Sequence, residues 1–176
     1  MLDLPGLRPS TDRIRETLFN WLGQDLVGLR CLDLFAGTGA LGFEAASRHA
    51  NSVTLLEKDK QAYAKLLTNF ALLESSPAPG EVQILHRDSL EFLKQAADRS
   101  SNLIFIDPPF QEEGLLNQAL IEAARVCDDS AGGGIYVEFP ASRPLEQIEA
   151  LVPDWHCGKY LEAGQVKACL FRSKRD

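Results

Sequence analysis

The sequence predicts an α/β fold in which a mostly parallel sheet carries helices on both faces. Short apolar runs of strand length alternate with longer amphipathic segments through most of the chain. A glycine-rich turn follows the first apolar run, and two apolar runs separated by a short polar segment close the chain. Five strands with crossover helices and a final antiparallel hairpin would make a seven-stranded sheet.

The first half of the chain supplies three of the parallel strands. Apolar side chains at i, i+4, i+7 and i+8 from Ile14, with start signals at 9–12 and a stop at Gly23, predict an N-terminal helix over 10–22. The elements predicted next are strand 30–36, helix 40–49, strand 53–57, a helix from Asp59 with an apolar stripe to Leu73, a loop over 75–80, and strand 82–85.

The second half begins with a short helix that an Asp-x-x-Glu pattern opens at Asp88. The predicted elements are helix 88–97, strand 103–107, helix 112–127, a break at the three glycines 132–134, strand 135–138, helix 145–151, and strands near 156–161 and 166–172. The four residues between the last two strands favour a hairpin.

Length and composition indicate one globular domain. The chain has 176 residues, of which 45% are hydrophobic and 24% charged, so we treat 1–176 as a single domain. No apolar run approaches the roughly 20 residues that cross a bilayer, and the N-terminus is unlike a signal peptide. A cytoplasmic location, no membrane partner and a monomer are therefore expected.

Charge and cysteine content limit the other possibilities. The net charge of −7 counts against a nucleic-acid binder, although basic residues cluster near both ends of the chain. None of the four cysteines has Cys-x-x-Cys spacing, which favours reduced, mostly buried thiols over disulfides or zinc. The three histidines form no cluster, so no metal site is predicted.

The segment Asp107-Pro108-Pro109-Phe110 follows a buried strand, at the edge where open α/β sheets bind ligands. Its carboxylate and backbone carbonyls can accept hydrogen bonds from an amino group. The prolines stiffen the turn and remove backbone donors, and the ring can stack on a flat base. A purely structural turn, with Phe110 as a core plug, is the alternative.

A Gly-x-Gly-x-x-Gly turn spans Gly37, Gly39 and Gly42, between the first strand and a helix. Glycines there allow a tight turn and close approach of a ligand to the backbone. Glu57 lies twenty residues after Gly37, where a carboxylate can accept the two hydroxyls of a ribose. These signals fit a nucleotide cofactor, with Ala36 beside the turn.

The same pattern occurs in NAD sites, but two features oppose NAD. Asp33 precedes the turn and would repel a pyrophosphate, whereas it suits an ammonium and a sulfonium. The Asp107 segment also has no evident role in hydride transfer. S-adenosylmethionine fits both features. Asp88 and Ser89 follow the third strand, where a carboxylate could accept from adenine, although Asp88 is also a strong helix-cap candidate.

Three segments resemble one known family. Residues 33–39 resemble the first motif of class I S-adenosylmethionine-dependent methyltransferases, which are Rossmann-like, and 107–110 resemble their (Asn/Asp)-Pro-Pro-(Phe/Tyr/Trp) motif. Residues 8–22 are similar to the opening helix of the bacterial small-subunit ribosomal RNA guanine-N2-methyltransferases of the RsmD type. The resemblance extends over essentially the whole chain.

This resemblance implies S-adenosylmethionine as cofactor, and ribosomal RNA or a small-subunit particle as partner. The residues that it implies for the cofactor are Asp33, Ala36, Gly37, Gly39, Glu57, Asp88, Ser89, Thr11 and Arg13. Those implied for the target guanine are Asp107, Pro108, Pro109, Phe110 and Arg8. Family members usually begin with a basic β-hairpin before residue 8, which this chain is expected to lack.

Three other functions stay open on the sequence. The Asp107 motif also resembles that of DNA adenine-N6 methyltransferases, although 176 residues leave little room for a target-recognition domain. A non-catalytic ribosome-assembly factor with the same fold is a second possibility. An NAD dehydrogenase is the third.

Overall fold

The computed structural model describes residues 9–73 and 80–174 of the chain. The strands are β1 (Arg30–Asp33), β2 (Ser52–Glu57), β3 (Glu81–His86), β4 (Leu103–Ile106), β5 (Gly134–Pro140), β6 (Trp155–Ala163) and β7 (Val166–Ser173). The helices are α1 (Pro9–Leu22), α2 (Ala40–Ser47), α3 (Lys60–Leu73), α4 (Ser89–Gln95), α5 (Glu113–Val126) and α6 (Leu145–Glu149), with a 3₁₀ turn at Asp129–Ala131.

The strands form one sheet in the order β3-β2-β1-β4-β5-β7-β6. β1 to β5 run parallel, while β7 lies antiparallel to both β5 and β6. The predicted α/β fold, a mostly parallel seven-stranded sheet that closes with an antiparallel hairpin, is therefore confirmed. None of the described helices is long and apolar enough to span a membrane.

Both faces of the sheet are buried, which explains the apolar runs in the central strands. Along β4, Leu103 and Phe105 join one core cluster and Ile104 and Ile106 the other, because side chains alternate between the two faces of a strand. Side chains from α1, α2 and α3 complete the first cluster, and side chains from α4, α5 and α6 complete the second.

Strand β1 is shorter than the sequence predicts. It ends at Asp33, not at Ala36, because the residues that follow make only isolated backbone hydrogen bonds to the neighbouring strands. The N–H of Leu34 donates to the carbonyl of Phe105 (3.1 Å), and the N–H of Ala36 donates to that of Leu56 (3.0 Å). Gly39 N–H then bonds the carbonyl of Ala36 at 2.7 Å and closes the turn. Asp33 is thereby placed at the carboxyl end of the central strand.

The prediction of reduced thiols is wrong for one pair of cysteines. Cys157 on β6 and Cys169 on β7 form a disulfide, with their Cα atoms 5.9 Å apart. The two residues become neighbours only when the hairpin pairs, with a register shift between Cys157 and Lys159. Cys31 and Cys127 are free and buried, as predicted. Most of the predicted 75–80 loop lies outside the described residues.

Candidate active site

The candidate site lies at the topological switch point of the sheet, between β1 and β4. From β1 the chain proceeds to β2 and β3 on one side, and then returns to place β4 on the other side of β1. In open α/β sheets the carboxyl ends of such strands diverge and leave a crevice. Asp33 ends β1, Glu57 ends β2 and Asp107 follows β4, so all three carboxylates lie at this edge.

The glycine turn is built around the Asp33 carboxylate. Oδ2 of Asp33 accepts from the backbone N–H of Gly42 at 3.1 Å, which fixes the start of α2 over the end of β1. Gly39 has φ of 86°, and a Cβ there would lie 2.1 Å from the ring of Phe43. A Cβ on Gly37 would meet no atom within 4 Å. The turn is thus closely packed at Gly39 and open at Gly37.

Glu57 is held by the backbone on both of its oxygens. Oε2 accepts from the N–H of Gly37 at 3.1 Å, and Oε1 accepts from the N–H of Asp59 at 2.8 Å. Each carboxylate oxygen has a second lone pair, so the group can still accept from a ligand. Glu57 therefore links the glycine turn to the end of β2 in a fixed orientation.

Two adjoining cavities form the cleft. The first, of about 230 Å³, contains three carboxyl groups and is called the acidic cavity below; it is lined by Arg15, Asp33, Phe35, Ala36, Gly37, Thr38, Ala40, Leu41, Asp107 and Glu138. The second, of about 270 Å³, is called the Glu57 cavity; it is lined by Leu34, Phe35, Gly37, Leu56, Glu57, Lys58, Ser89, Asp107, Pro108, Pro109 and Leu115. Phe35, Gly37 and Asp107 line both, so the two cavities are halves of one ligand-sized cleft.

The acidic cavity is electrostatically suited to a cation. Burial raises the pKa of Asp33 to about 7, a rise that backbone hydrogen bonds oppose and the charges of Glu57 and Glu138 reinforce. Burial also raises the pKa of Asp107 well above its usual range, with the charges of Glu138 and Asp33 adding to the rise. A bound cation would offset these carboxylate repulsions.

The Asp107 turn contributes to two neighbouring sites. Asp107, Pro108 and Pro109 line the Glu57 cavity, with Pro108 buried and Pro109 exposed. Phe110 lines neither half of the cleft. It is half-buried beside the turn, in a small recess that Pro140 and Arg143 also line.

Asp88 and Ser89 divide two tasks at the end of β3. Oδ1 of Asp88 accepts from the N–H groups of Leu90 (2.9 Å) and Glu91 (3.1 Å), so Asp88 is the N-cap of α4. Its second carboxylate oxygen has no helix-cap role. Ser89 lines the Glu57 cavity, and its hydroxyl donates to the carbonyl of Leu34.

The N-terminal helix places a different arginine in the cleft from the one predicted. Arg13 is exposed and lines neither cavity, whereas Arg15 is buried, lines the acidic cavity and bonds Asp12 at 3.1 Å. Arg15 lies one helical turn before Phe19, on the face of α1 that packs on the sheet. A cationic residue on that otherwise apolar face could have indicated from the sequence that Arg15 reaches the site. Arg8 and the side chain of Thr11 lie outside the described part of the chain.

Glu138 lines the candidate site and Tyr136 bonds it from behind, and neither residue was predicted from the sequence. Glu138 is 7% exposed and lines the acidic cavity, and its Oε1 accepts from the buried Tyr136 hydroxyl at 2.7 Å. The signal was a single carboxylate within the apolar run of β5, a strand whose carboxyl end shares an edge with β4.

This sheet order, with an acidic and glycine-lined cleft at its switch point, defines a Rossmann-like methyltransferase of class I. The family model described as Conserved hypothetical protein 95 matches residues 1–172. The ribosomal RNA small subunit methyltransferase D of Escherichia coli K12 is 41% identical over 97% of this chain and 81% of its own length. The chain belongs to the ribosomal RNA small subunit methyltransferase D family, as its sequence motifs predicted.

Further relatives agree with this membership. The protein of the same name from Haemophilus influenzae is 42% identical over 98% of this chain and 86% of its own length. The solved structure of yhhF from Escherichia coli, described as a methyltransferase, has a TM-score of 0.79 at 35% identity and covers 99% of this chain and 92% of that one.

Proposed function

We propose that the protein transfers a methyl group from S-adenosylmethionine to the exocyclic N2 of a guanine in small-subunit ribosomal RNA. One observation carries the proposal: Asp107 lines both halves of the cleft, so its carboxyl group lies between the space for the methionine end of the cofactor and the space for its ribose, where the sulfonium methyl group belongs. The name of the Escherichia coli relative, a ribosomal RNA small subunit methyltransferase, supports ribosomal RNA as the substrate class. A substrate in the small ribosomal subunit also implies a cytoplasmic site of action, with the RNA or the assembling particle as partner.

The cleft fits S-adenosylmethionine better than a dinucleotide. The acidic cavity suits the ammonium and sulfonium groups, whereas its carboxyl groups, of which those of Asp33 and Glu138 are buried, would repel a pyrophosphate. Glu57 is oriented to accept the ribose hydroxyls, and Ser89 lines the same cavity towards the adenine end. The open face of Gly37 allows close approach of the ligand to the backbone. When bound, the cofactor supplies an electrophilic methyl group on sulfur.

The chain's own residues orient the target base. A guanine amino group is a poor nucleophile because its lone pair is delocalised into the ring, so positioning is the main requirement. The Asp107 carboxyl and the Pro108 carbonyl accept from the two amino hydrogens and stabilise the positive charge that develops on nitrogen. Pro109, which is exposed, and Phe110, which is half-buried, offer stacking surfaces for the base.

Methyl transfer to defined substrates tests the proposal. We expect tritiated methyl groups to enter small-subunit ribosomal RNA, free or in particles, that comes from cells lacking this activity. Digestion and mass spectrometry should identify N2-methylguanosine. Methyl groups that enter adenine of duplex DNA would support the DNA methyltransferase instead, and a protein that binds S-adenosylmethionine without transfer would support an assembly factor.

Binding of S-adenosylmethionine should strengthen as pH rises towards neutrality. The pKa of Asp33 is about 7 in the unliganded protein, and only its ionised form attracts the ammonium. The ligand amine stays protonated below its pKa of roughly 7.7–8.0. We therefore expect affinity, measured by calorimetry, to be about fivefold or more weaker at pH 6 than at pH 7.5. Asp33→Asn should bind weakly at both values, and an unchanged pH dependence in that variant would refute the assignment.

A further inference from the structure

The carboxyl groups of Asp107 and Glu138 lie side by side at the edge of the sheet. β4 and β5 run parallel with Ile106 opposite Val137; Asp107 directly follows the end of β4, and Glu138 is the next residue of β5. Both side chains line the acidic cavity. A second carboxyl group therefore accompanies the one that we place on the target amino group.

Glu138 is fixed from within its own strand. The Tyr136 hydroxyl, which is itself fully buried, donates to Oε1 of Glu138 at 2.7 Å. On the other side β7 presents Ala168 opposite Glu138, so that neighbour contributes no charge. The ionisable groups that share the cavity with this pair are Asp33 from β1 and Arg15 from α1.

The two carboxyl groups differ in proton affinity. Burial raises the pKa of both groups, and the negative charge of Glu138 raises that of Asp107 further. Hydrogen bonds from Tyr136 and Asp107 lower the pKa of Glu138 and partly offset its burial. Because the two groups line one cavity, we place a single shared proton on Asp107, from which it can bond the Glu138 carboxylate.

We propose that Glu138 is a positioning residue that receives, through Asp107, the proton released by the methylated amino group. This inference rests on the proposed function. Once the target nitrogen has gained a methyl group, it carries one hydrogen too many for a neutral amine. That N–H bond breaks and its electron pair stays on nitrogen. The released proton binds the oxygen of Asp107 that carries no hydrogen. At the same time the proton on the other oxygen of Asp107 passes to the Glu138 carboxylate.

The pair performs two tasks in this arrangement. Before transfer it holds one negative charge beside the nitrogen, where positive charge develops. After transfer it holds the released proton without requiring water to enter a cavity that the base covers. Tyr136 keeps the receiving carboxylate in place and ionised.

Three variants test Glu138. Glu138→Gln keeps the shape but cannot receive a proton, so we expect transfer at saturating S-adenosylmethionine to fall at least about tenfold. Glu138→Asp, which retains an acid, should recover part of the rate. Tyr136→Phe removes a hydrogen bond that lowers the pKa of Glu138. The acid limb of its pH–rate profile should therefore move to higher pH.

The exposed pair Tyr160 and Glu162 on β6 provides a matched control, because the Tyr160 hydroxyl bonds Glu162 at 3.2 Å with the same two-residue spacing. Glu162→Gln and Tyr160→Phe should leave both the rate and the pH–rate profile unchanged. Wild-type turnover in Glu138→Gln, or an unmoved acid limb in Tyr136→Phe, would overturn the proposal even where one variant folds poorly.

Thermal unfolding of the unliganded protein tests the pair independently of any substrate. Carboxyls whose pKa is raised by folding contribute stability that is lost as pH rises through the raised pKa. Glu138→Gln removes one such group and lowers the pKa of Asp107. We therefore expect its melting temperature to fall less between pH 5 and pH 8 than that of wild type. Equal slopes would refute the shared proton, whereas altered slopes with no transfer to RNA by wild type would refute only the proposed function.

Discussion

Replacement of Asp107 by alanine should reduce methyl transfer at least about a hundredfold, the scale expected when a key polar group of an active site is lost. In the proposed mechanism the carboxyl accepts a hydrogen of the target amino group and passes a proton to Glu138, so its removal should impair both the orientation of the base and the release of the proton. The side chain also borders the Glu57 cavity, but Glu57 and the glycine turn remain. Calorimetry should therefore find S-adenosylmethionine binding retained.

Asp98→Ala is the matched control for Asp107. Asp98 precedes β4 in the chain, so it lies at the opposite edge of the sheet, where it pairs with Arg125 on the surface. Its loss should change neither transfer nor binding. Normal turnover of Asp107→Ala would exclude Asp107 from the reaction, and lost cofactor binding would move its role to the cofactor site.

Glu57→Ala should weaken S-adenosylmethionine binding by about 10- to 100-fold, because a hydrogen bond to a charged group contributes roughly 1.5–3 kcal/mol. The carboxylate is already oriented by Gly37 and Asp59, so little ordering is needed when the ribose arrives. At saturating cofactor the rate of transfer should recover, since Glu57 does not border the acidic cavity. Binding is measured by calorimetry and transfer under single-turnover conditions.

Two measurements separate ligand contact from turn stability at Glu57. The variant also loses the bond to Gly37, so its melting temperature must be compared with that of wild type. Glu81→Ala, at the exposed start of β3, removes a glutamate from the opposite edge and should bind normally. Unchanged affinity in Glu57→Ala would count against the ribose role.

The strands were predictable because a sheet covered on both faces demands continuous apolar runs. Residues 103–106 provide such a run, and the structure forms β4 from them. The end of β1 was less predictable. Leu34 and Ala36 are as hydrophobic as strand residues, but Leu34 makes one backbone hydrogen bond to β4 and Ala36 makes one to β2, so they do not continue the strand ladder. Hydrophobicity reports burial, and residues 34–36 are largely buried without being a strand.

The site was predictable where a motif is contiguous and unpredictable where it depends on packing. Asp33, Glu57 and Asp107 were predicted from their positions after apolar runs, and all three lie at the edge of the sheet that forms the cleft. Arg15 was missed because the choice between it and Arg13 depends on which face of α1 meets the sheet. Glu138 was missed because its neighbour Asp107 is 31 positions earlier in the chain, and only strand pairing brings the two together.

The switch-point topology makes the cleft a property of the whole sheet. Its carboxylates come from the ends of β1, β2, β4 and β5, and a nascent chain has no complete site until β5 has emerged and paired. Release of any one of these strands would dismantle the cleft. A bound cofactor therefore stabilises the sheet by mass action against every such opening. Ligand protection from hydrogen exchange should accordingly spread over the central strands instead of remaining at the glycine turn.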